Sequence, residues 1–278
     1  MQFLSQGPIS NQKVIVRGDL DVPLENGQVE DSTRIEKTVK TLKLLLQNNN
    51  SIFLISHVGR PEGVDPNLSF RLVLPKLAEL LGEEVLLQEN LENRVSGKTV
   101  LLENLRFWPE EEKNDLEFAR KLATFGEVYV NECFSVAHRA HTSVSKLPSL
   151  LPSYFGLELE KEVKELQKIF DEPKRPLVAI IGGAKLETKL PAITNLAKVA
   201  DKVLVGGKLM FEVEGQVLPE NVIVASDDIA TKDIGPKSLQ NFKAEIDKAK
   251  MIVWNGPLGL FEEAEYATGT KKVAEMVA

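Results

Sequence analysis

The chain has 278 residues, of which 43% are apolar and 27% are charged, and its formal net charge is −7. These globular proportions exclude a disordered or collagen-like chain, and the acidic balance argues against a nucleic-acid partner. The single cysteine, Cys133, excludes an internal disulfide and therefore a disulfide-stapled secreted module. The first residues lack a basic segment followed by an apolar stretch, and no apolar run is long enough to cross a bilayer. We therefore expect a cytoplasmic protein with no membrane partner.

Short apolar runs recur along the chain and are separated by helical patterns. Most runs are uninterrupted rather than alternating, which is typical of buried parallel strands. One amphipathic helix is predicted after Asp31-Ser32 and another after Ser238, because apolar residues follow there at helical spacing. This alternation predicts an α/β fold with parallel sheets. The predicted strands are 14–16, 52–55, 85–87, 100–102, 128–130, 177–181, 203–205, 222–225 and 251–254.

A proline-marked stretch at 147–156 divides the chain. It leads into a charged helical pattern at 158–170, and a further proline-containing break follows directly after that pattern. We therefore predict two Rossmann-like parallel-sheet lobes joined by a hinge helix, with the first lobe at 1–150, the hinge helix at 151–170 and the second lobe at 171–278.

Cationic side chains follow the predicted strands of the first half. Ligands of open parallel sheets bind at the carboxyl ends of the strands, so the residues just after each strand are the candidates for a site. Three of these strand ends deliver an arginine and one adds a histidine, which favours a small, highly charged anion as ligand. The segments are Arg17-Gly-Asp19-Leu-Asp21, Ser56-His57-Val-Gly59-Arg60, Glu103-Asn104-Leu-Arg106 and Asn131-Glu132-Cys133-Phe134, the last followed by His138-Arg139-Ala-His141.

Glycines follow the predicted strands of the second half. They allow backbone N–H groups to approach phosphates, and the helix that follows favours negative charge at its N-terminus. The sequence contains neither the G-x-x-x-x-G-K-S/T motif nor the G-x-G-x-x-G motif, so a nucleotide would have to be bound by loops of another kind. The segments are Gly182-Gly183-Ala-Lys185, Gly206-Gly207-Lys208 and Asn255-Gly256-Pro257-Leu-Gly259.

Several of these residues also have an ordinary structural interpretation. His138 and His141 have no evident third metal ligand, so a structural or anion-contacting role is favoured over zinc. Cys133 is expected to be a small buried hydrophobe rather than a nucleophile. Lys185 belongs either to a phosphate site or to a solvated helix face. Asp19 and Asp21, one residue apart, would share a face of a strand, but the strand ends there and the geometry stays open.

Taken together, the motifs resemble those of the phosphoglycerate kinase family. They follow the order of that family over nearly the whole chain. The matching segments are VIVRGDLDVPLENGQVEDSTRI (14–35), ISHVGRPEG (55–63), LLENLRFWPEEE (101–112), VYVNECFSVAHRAHTS (128–143), AIIGGAKLETKL (179–190), LVGG (204–207), DIGPKS (233–238) and IVWNGPLGLFE (252–262).

The resemblance implies a monomeric hinge-bending enzyme that moves a phosphoryl group between 1,3-bisphosphoglycerate and ADP, giving 3-phosphoglycerate and ATP with Mg²⁺ bound to the nucleotide. It assigns the first lobe to the acidic substrate and the second to the nucleotide, with Arg34 and Lys185 stabilising the transferring group. The implied substrate-binding residues are Asp19, Asp21, Arg34, His57, Arg60, Arg106 and Arg139. The implied nucleotide-binding residues are Lys185, Lys189, Gly207, Asn255, Pro257 and Glu262.

The sequence also departs from the family pattern. Asp21 stands where the family usually has asparagine, Lys208 replaces a glycine, and the segment between Phe211 and Leu218 is a few dozen residues shorter. We find no counterpart of the family's Gly-Gly-Gly-Asp-Thr loop, whose aspartate holds the metal of the nucleotide. The expected fold is therefore a two-lobe α/β protein whose second lobe is incomplete. The alternative to an active kinase is an anion-binding remnant or fragment that holds 3-phosphoglycerate without turnover.

Overall fold

The structure is a computed structural model that describes residues 2–7 and 9–278, and its strands match the predicted apolar runs. All nine predicted strands are present, each within a residue or two of its expected bounds. The strands are β1 (Gln2–Phe3), β2 (Lys13–Arg17), β3 (Leu24–Glu25), β4 (Gln28–Val29), β5 (Ser51–Ile55), β6 (Leu86–Gln88), β7 (Thr99–Leu102), β8 (Val128–Asn131), β9 (Ser153–Phe155), β10 (Leu177–Ile181), β11 (Lys202–Val205), β12 (Val222–Val224), β13 (Asp228–Ile229), β14 (Asp233–Ile234) and β15 (Met251–Asn255).

Helices separate most of these strands, as the strand–helix alternation predicts. Short 3-10 turns lie between them. The α-helices are α1 (Thr33–Gln47), α2 (Leu74–Leu81), α3 (Pro109–Glu112), α4 (Leu116–Ala123), α5 (Leu157–Asp171), α6 (Leu186–Ala197), α7 (Leu209–Glu212), α8 (Pro236–Ile246) and α9 (Thr268–Val277). None of the described helices is long and apolar enough to cross a membrane.

The chain divides into two compact units, and the division falls inside α5, between Lys164 and Glu165. The first unit contains a parallel seven-stranded sheet in the order β1-β9-β8-β2-β5-β7-β6. Because side chains alternate along a strand, β2 sends Val14 and Val16 to the core under α1 and α2, and Ile15 to the core under α4. Helices therefore cover both faces of the sheet, and the carboxyl ends of its strands meet at one edge.

The second unit contains a parallel four-stranded sheet in the order β12-β11-β10-β15. Ile193 of α6 packs against one face, while Phe242 of α8 and Val273 of α9 pack against the other. Within the described residues, strand β15 pairs with β10 alone and lies at one edge of this sheet. The glycine-rich segments follow the carboxyl ends of β10, β11 and β15.

One strand was not predicted, and the start of one predicted helix is wrong. The predicted boundary at 147–156 contains β9, a strand too short and too weakly apolar to be seen in the sequence, and this strand pairs with β8. The helix predicted after Ser238 begins at Pro236, three residues before Leu239, because proline is favoured in the first turn of a helix. Ser238 is buried, and its hydroxyl hydrogen-bonds to the carboxylate of Asp227 instead of capping the helix.

Candidate functional site

Two carboxylates and an arginine meet where β2 ends. Helix α1 begins at Thr33, whose backbone N–H donates to the Asp31 carboxylate at 2.8 Å, and this start places Arg34 in the first turn. The Arg34 Nη1 atom lies 3.3 Å from Asp19 Oδ1 and 3.8 Å from Asp21 Oδ2. Both aspartates therefore face the same guanidinium group, although both lie beyond the end of β2.

Asp21 also contacts the loop after β5. Its Oδ1 accepts a hydrogen bond from the backbone N–H of Gly59 at 2.8 Å, and its Oδ2 lies 3.6 Å from His57 Nε2. The carboxylate of Asp21, which stands where the family usually has asparagine, is thus contacted by a backbone N–H, by His57 and by Arg34. This arrangement reduces the repulsion that Asp21 would exert on an anionic ligand.

Further arginines of the first unit surround this group. Arg106 donates from Nη1 to the carbonyl of Gly59 at 2.5 Å, and burial lowers the pKa of its guanidinium. The Nε of Arg139 is buried, and it has no hydrogen-bond partner in the part of the chain that the structure describes. Arg60 is exposed in the same loop as Gly59. A buried cationic donor without a partner is costly, which favours a bound anion beside Arg139.

A small cavity of about 210 Å³ opens beside Asp19 and Arg34. Of its lining residues, Glu132 belongs to the candidate segment that follows β8, whereas Ser135 was not predicted. The Ser135 hydroxyl donates to Asp19 Oδ2 at 3.0 Å. Glu132 is buried, and burial raises the pKa of its carboxyl to about 8 despite hydrogen bonds to Oε1 from Thr41 and from the start of α5. In the sequence, the signal for this position was its place directly after a predicted strand.

The glycine-rich loops of the second unit are packed directly against one another. A Cβ atom on Gly182 would lie 2.0 Å from the carbonyl oxygen of Pro257, so this position admits only glycine. Gly207 has φ +68°, and a Cβ there would lie 3.1 Å from the carbonyls of Gly183 and Pro257. The close approach of these backbones forms one wall of a second cavity.

This cavity has a volume of about 400 Å³ and lies at the carboxyl edge of the second sheet. Three of the predicted nucleotide-binding residues line it, namely Gly207, Pro257 and Glu262. Lys208, the departure from the family's glycine, also lines it. A cavity with glycine-rich backbone, two lysines and an apolar wall suits a nucleotide better than a purely apolar ligand.

The other predicted nucleotide residues lie outside the lining of this cavity. Lys189 donates a hydrogen bond from Nζ to Asn255 Oδ1, so these two residues meet as a pair. Lys185 is exposed at the start of α6, and its side chain makes no hydrogen bond or ion pair in the described part of the chain. Its position allows it to reach an anion, but the structure brings it to no other predicted residue.

Thr231 and Lys232 also line the second cavity, and sequence reasoning missed both. They follow β13, where Ala230 and Thr231 have φ of +52° and +62°. Left-handed backbone is unusual for a β-branched residue, so no ordinary turn signal marks this loop. The quoted segment 233–238 begins only after it.

The residues with an ordinary structural interpretation also have clear positions. Cys133 is fully buried, as expected for a small hydrophobe, and burial raises the pKa of its thiol. His138 is exposed and His141 is buried. Among residues 2–7 and 9–278, no three His, Cys, Asp or Glu side chains are grouped so that they could hold a metal ion.

The fold and these cavities define a class: an α/β protein of two parallel-sheet units, each with a polar site at the carboxyl edge of its sheet. Comparison with known proteins identifies a family within this class. The model of the family described as "Phosphoglycerate kinase" matches residues 4–216 and 212–278. The chain belongs to the phosphoglycerate kinase family.

Relatives and solved structures agree with this assignment. A phosphoglycerate kinase of Dictyoglomus turgidum is 36% identical over 329 residues, covering 97% of this chain and 83% of the relative. Phosphoglycerate kinase 3, cytosolic, of Arabidopsis thaliana is 36% identical over 335 residues, covering 99% and 84%. The structure of phosphoglycerate kinase from Coxiella burnetii has a TM-score of 0.81 at 26% identity, covering 99% of this chain and 84% of that one.

The alignments also bear on the shortened segment of the second unit. The family model matches in two pieces that meet near residue 212, and the aligned length of 329 residues exceeds the 278 residues of this chain. The relatives therefore contain residues without a counterpart here. The junction of the two pieces coincides with the short segment after Phe211, where the departure from the family was predicted.

Proposed function

We propose that this chain catalyses reversible phosphoryl transfer between 1,3-bisphosphoglycerate and ADP, giving 3-phosphoglycerate and ATP. Membership of the family supports the reaction class. The observation that carries the proposal is the cluster of arginines around Asp19 and Asp21 in the first unit, with an unpartnered buried donor on Arg139. Such a cluster suits a ligand that carries both a carboxylate and a phosphate.

The proposed roles follow from the chemistry of the acceptor. In the direction that consumes ATP, the acceptor is a carboxylate that is already ionised at pH 7, so no general base is needed. The protein has to position two anions and neutralise the charge on the transferring oxygens. We assign the acidic substrate to His57, Arg60, Arg106 and Arg139, with Asp19 and Asp21 orienting Arg34.

The nucleotide is assigned to the second unit. Its base and ribose would occupy the cavity formed by Gly207, Pro257 and Glu262, while Lys189 and Asn255 would contact the phosphates. Lys185, an exposed cation at the start of α6, is proposed to stabilise the transferring phosphoryl group together with Arg34. The exposure of Lys185 supports this role, because its ammonium group has no competing anion in the described part of the chain.

Mg²⁺ is expected to accompany the nucleotide. The described residues contain no grouped set of metal ligands, and Glu262 is the one carboxylate that lines the second cavity. The chain therefore does not offer a resident Mg²⁺ site in its described part, and we derive no step through the metal. We further propose a cytoplasmic monomer acting on small molecules, which the cytosolic Arabidopsis relative supports.

A coupled assay on the purified 278-residue chain with 3-phosphoglycerate and Mg-ATP tests the proposal. Arg34→Ala is the blank, and Arg120→Ala is the matched control, because Arg120 is exposed on α4 and its ion pair among the described residues is with Glu117 on the same helix. We expect turnover in the parent and in Arg120→Ala, and none in Arg34→Ala. Absence of turnover in the parent, with 3-phosphoglycerate still bound in calorimetry, would refute the kinase and favour the anion-binding alternative.

A further inference from the structure

Arg17 is a buried charge that the proposed reaction does not use. Its side chain is 1% exposed and lies at the end of β2, beneath the proposed substrate site. Its Nη1 donates to the carbonyl of Gly18 at 2.6 Å and to Ser56 Oγ at 3.2 Å, and its Nε donates to Ser143 Oγ at 3.1 Å. Its Nη2 lies 2.8 Å from Nδ1 of His57.

A buried carboxylate balances Arg17 through Ser143. Glu111 is 1% exposed. The Ser143 hydroxyl donates to Glu111 Oε1 at 2.5 Å, and the Ser143 backbone N–H donates to Oε2 at 2.9 Å. Because that hydroxyl has one proton, which it gives to Glu111, it accepts from Arg17. The chain of hydrogen bonds therefore has one direction, from Arg17 through Ser143 to Glu111.

The same reasoning fixes the proton on His57. Arginine has only donors and stays protonated in proteins, so the 2.8 Å contact requires a lone pair on Nδ1 of the imidazole. The ring proton is therefore on Nε2, the atom that lies 3.6 Å from Asp21 Oδ2. A second proton on the ring would place two N–H groups head to head.

The surroundings of His57 also disfavour a second proton on its ring. Burial is the largest cause that lowers the pKa of His57, and the charges of Arg17, Arg106 and Arg139 and the nearby His141 add to it. Asp21 is the carboxylate that faces Nε2. The ring is thus neutral at physiological pH, although it lies in the acidic-substrate site.

We propose that Arg17, held by Ser143 and Glu111, is a positioning residue that locks His57 as the neutral Nε2–H tautomer, so that His57 offers the acidic substrate one fixed N–H donor. The identity of that substrate rests on the proposed function, whereas the tautomer does not. His57 then neither gives up nor gains a proton during turnover, and it binds as a neutral donor beside the arginines.

Long-range ¹H–¹⁵N correlation spectra of the full chain, labelled with ¹⁵N-histidine, test this directly. The chain has three histidines, so His57→Asn assigns the relevant signals. We expect a pyrrole-type shift for Nε2 and a pyridine-type shift for Nδ1, both unchanged from pH 8 to pH 5.5. A pyrrole-type Nδ1, or an imidazolium signal at pH 7.5, would overturn the proposal without any assay of turnover.

Substitutions of Arg17 and Ser143 distinguish a role in positioning His57 from a role in packing alone. In Arg17→Met we expect His57 to populate the Nδ1–H tautomer or to become protonated by pH 5.5, while Arg120→Met leaves the spectrum unchanged. If Arg17→Met does not fold, Ser143→Ala replaces it, because it breaks the connection to Glu111 and leaves the guanidinium in place. A variant that folds and keeps the parent spectrum would overturn the role of the group it removes.

Addition of 3-phosphoglycerate tests the donor role. We expect the Nε2 signal to move on binding while Nδ1 keeps its pyridine-type shift. Binding in calorimetry with no change at Nε2 would overturn donation by His57. Absence of turnover would count against the proposed function alone, since none of these spectra depends on catalysis.

Discussion

Glu132 should make the stability of the first unit depend on pH, and Glu132→Gln should remove that dependence. The side chain is 4% exposed at the end of β8. Its Oε1 accepts from the Thr41 hydroxyl and from the backbone N–H of Glu158, each at 2.9 Å, and its Oε2 has no partner among the described residues. A glutamine keeps the first oxygen as an acceptor and puts an uncharged amide nitrogen in place of the second.

The magnitude follows from the two pKa values. Burial raises the pKa of Glu132 to about 8 in the folded chain, against an ordinary value of 4.5. Below pH 4.5 both states hold the proton, and the contribution of Glu132 to stability is fully present. Between these values the unfolded chain releases the proton and the folded chain keeps it, so stability falls by about 1.4 kcal/mol per pH unit. The loss is complete once the pH has risen through about 8.

Urea unfolding of parent and Glu132→Gln between pH 5.5 and 7.5 measures this effect. Both chains carry Trp254→Phe, so that Trp108, the other of the two tryptophans, reports on the first unit alone. We expect the stability advantage of the glutamine variant to grow by about 2.7 kcal/mol over these two pH units. Glu92→Gln, at an exposed position, should show no such growth.

The informative quantity is how the difference in unfolding free energy between the two chains changes with pH, not its size at any one pH. Exchange of a carboxyl for an amide changes local packing equally at every pH, so it adds a constant difference. A difference that stays constant from pH 5.5 to 7.5 would refute the raised pKa of Glu132. It would mean that the carboxylate is ionised in the folded chain.

Three further predictions concern the two candidate sites. Asp21→Asn removes a negative charge beside the acidic substrate, so 3-phosphoglycerate should bind about fivefold more tightly in calorimetry, and weaker binding would contradict the repulsion. Lys189→Met removes the donor to Asn255, so ADP affinity should fall about tenfold while 3-phosphoglycerate affinity stays unchanged. Gly182→Ala would force a Cβ to 2.0 Å from the carbonyl of Pro257, so the second unit should lose more than about 3 kcal/mol in urea unfolding followed by Trp254 fluorescence.

The strand pattern of the sequence was sufficient to predict the four strands of the second sheet and all strands of the first except β1 and β9. Buried parallel strands have uninterrupted apolar runs, and such runs stand out from amphipathic helices whatever surrounds them. Strand β9 escaped prediction because its three residues, Ser153–Phe155, take their place in the sheet from pairing with β8 and not from their own composition. The start of α8 at Pro236 shows the same limit, since the spacing of the apolar residues indicated a helix only after Ser238.

The candidate sites were predictable to the extent that strand ends determine them. Asp19 and Asp21 follow a strand end, and local sequence was enough to propose them. Arg34 lies in the first turn of α1 and was proposed only through the family resemblance. The loop with Thr231 and Lys232 was not, because its left-handed backbone carries no glycine signal. Its place in the second cavity depends on the packing of β13 and β14 against residues near Gly259.

The role of Arg17 shows why residue type alone is a weak guide to function in this fold. In the sequence it is one more arginine after a strand, equivalent to Arg34 or Arg106 as a candidate for an anion. Its own hydrogen bonds reach Ser143, 126 positions later in the chain, and so turn its charge inward. All three guanidinium nitrogens of Arg17 contact protein atoms, among them Nδ1 of His57, so this side chain is better placed to fix the proton of that histidine than to bind the substrate. We therefore expect the arginines that bind the anion to have an N–H donor without a protein partner, as at Arg139. Arginines that position other residues are expected to have their donors hydrogen-bonded to protein atoms.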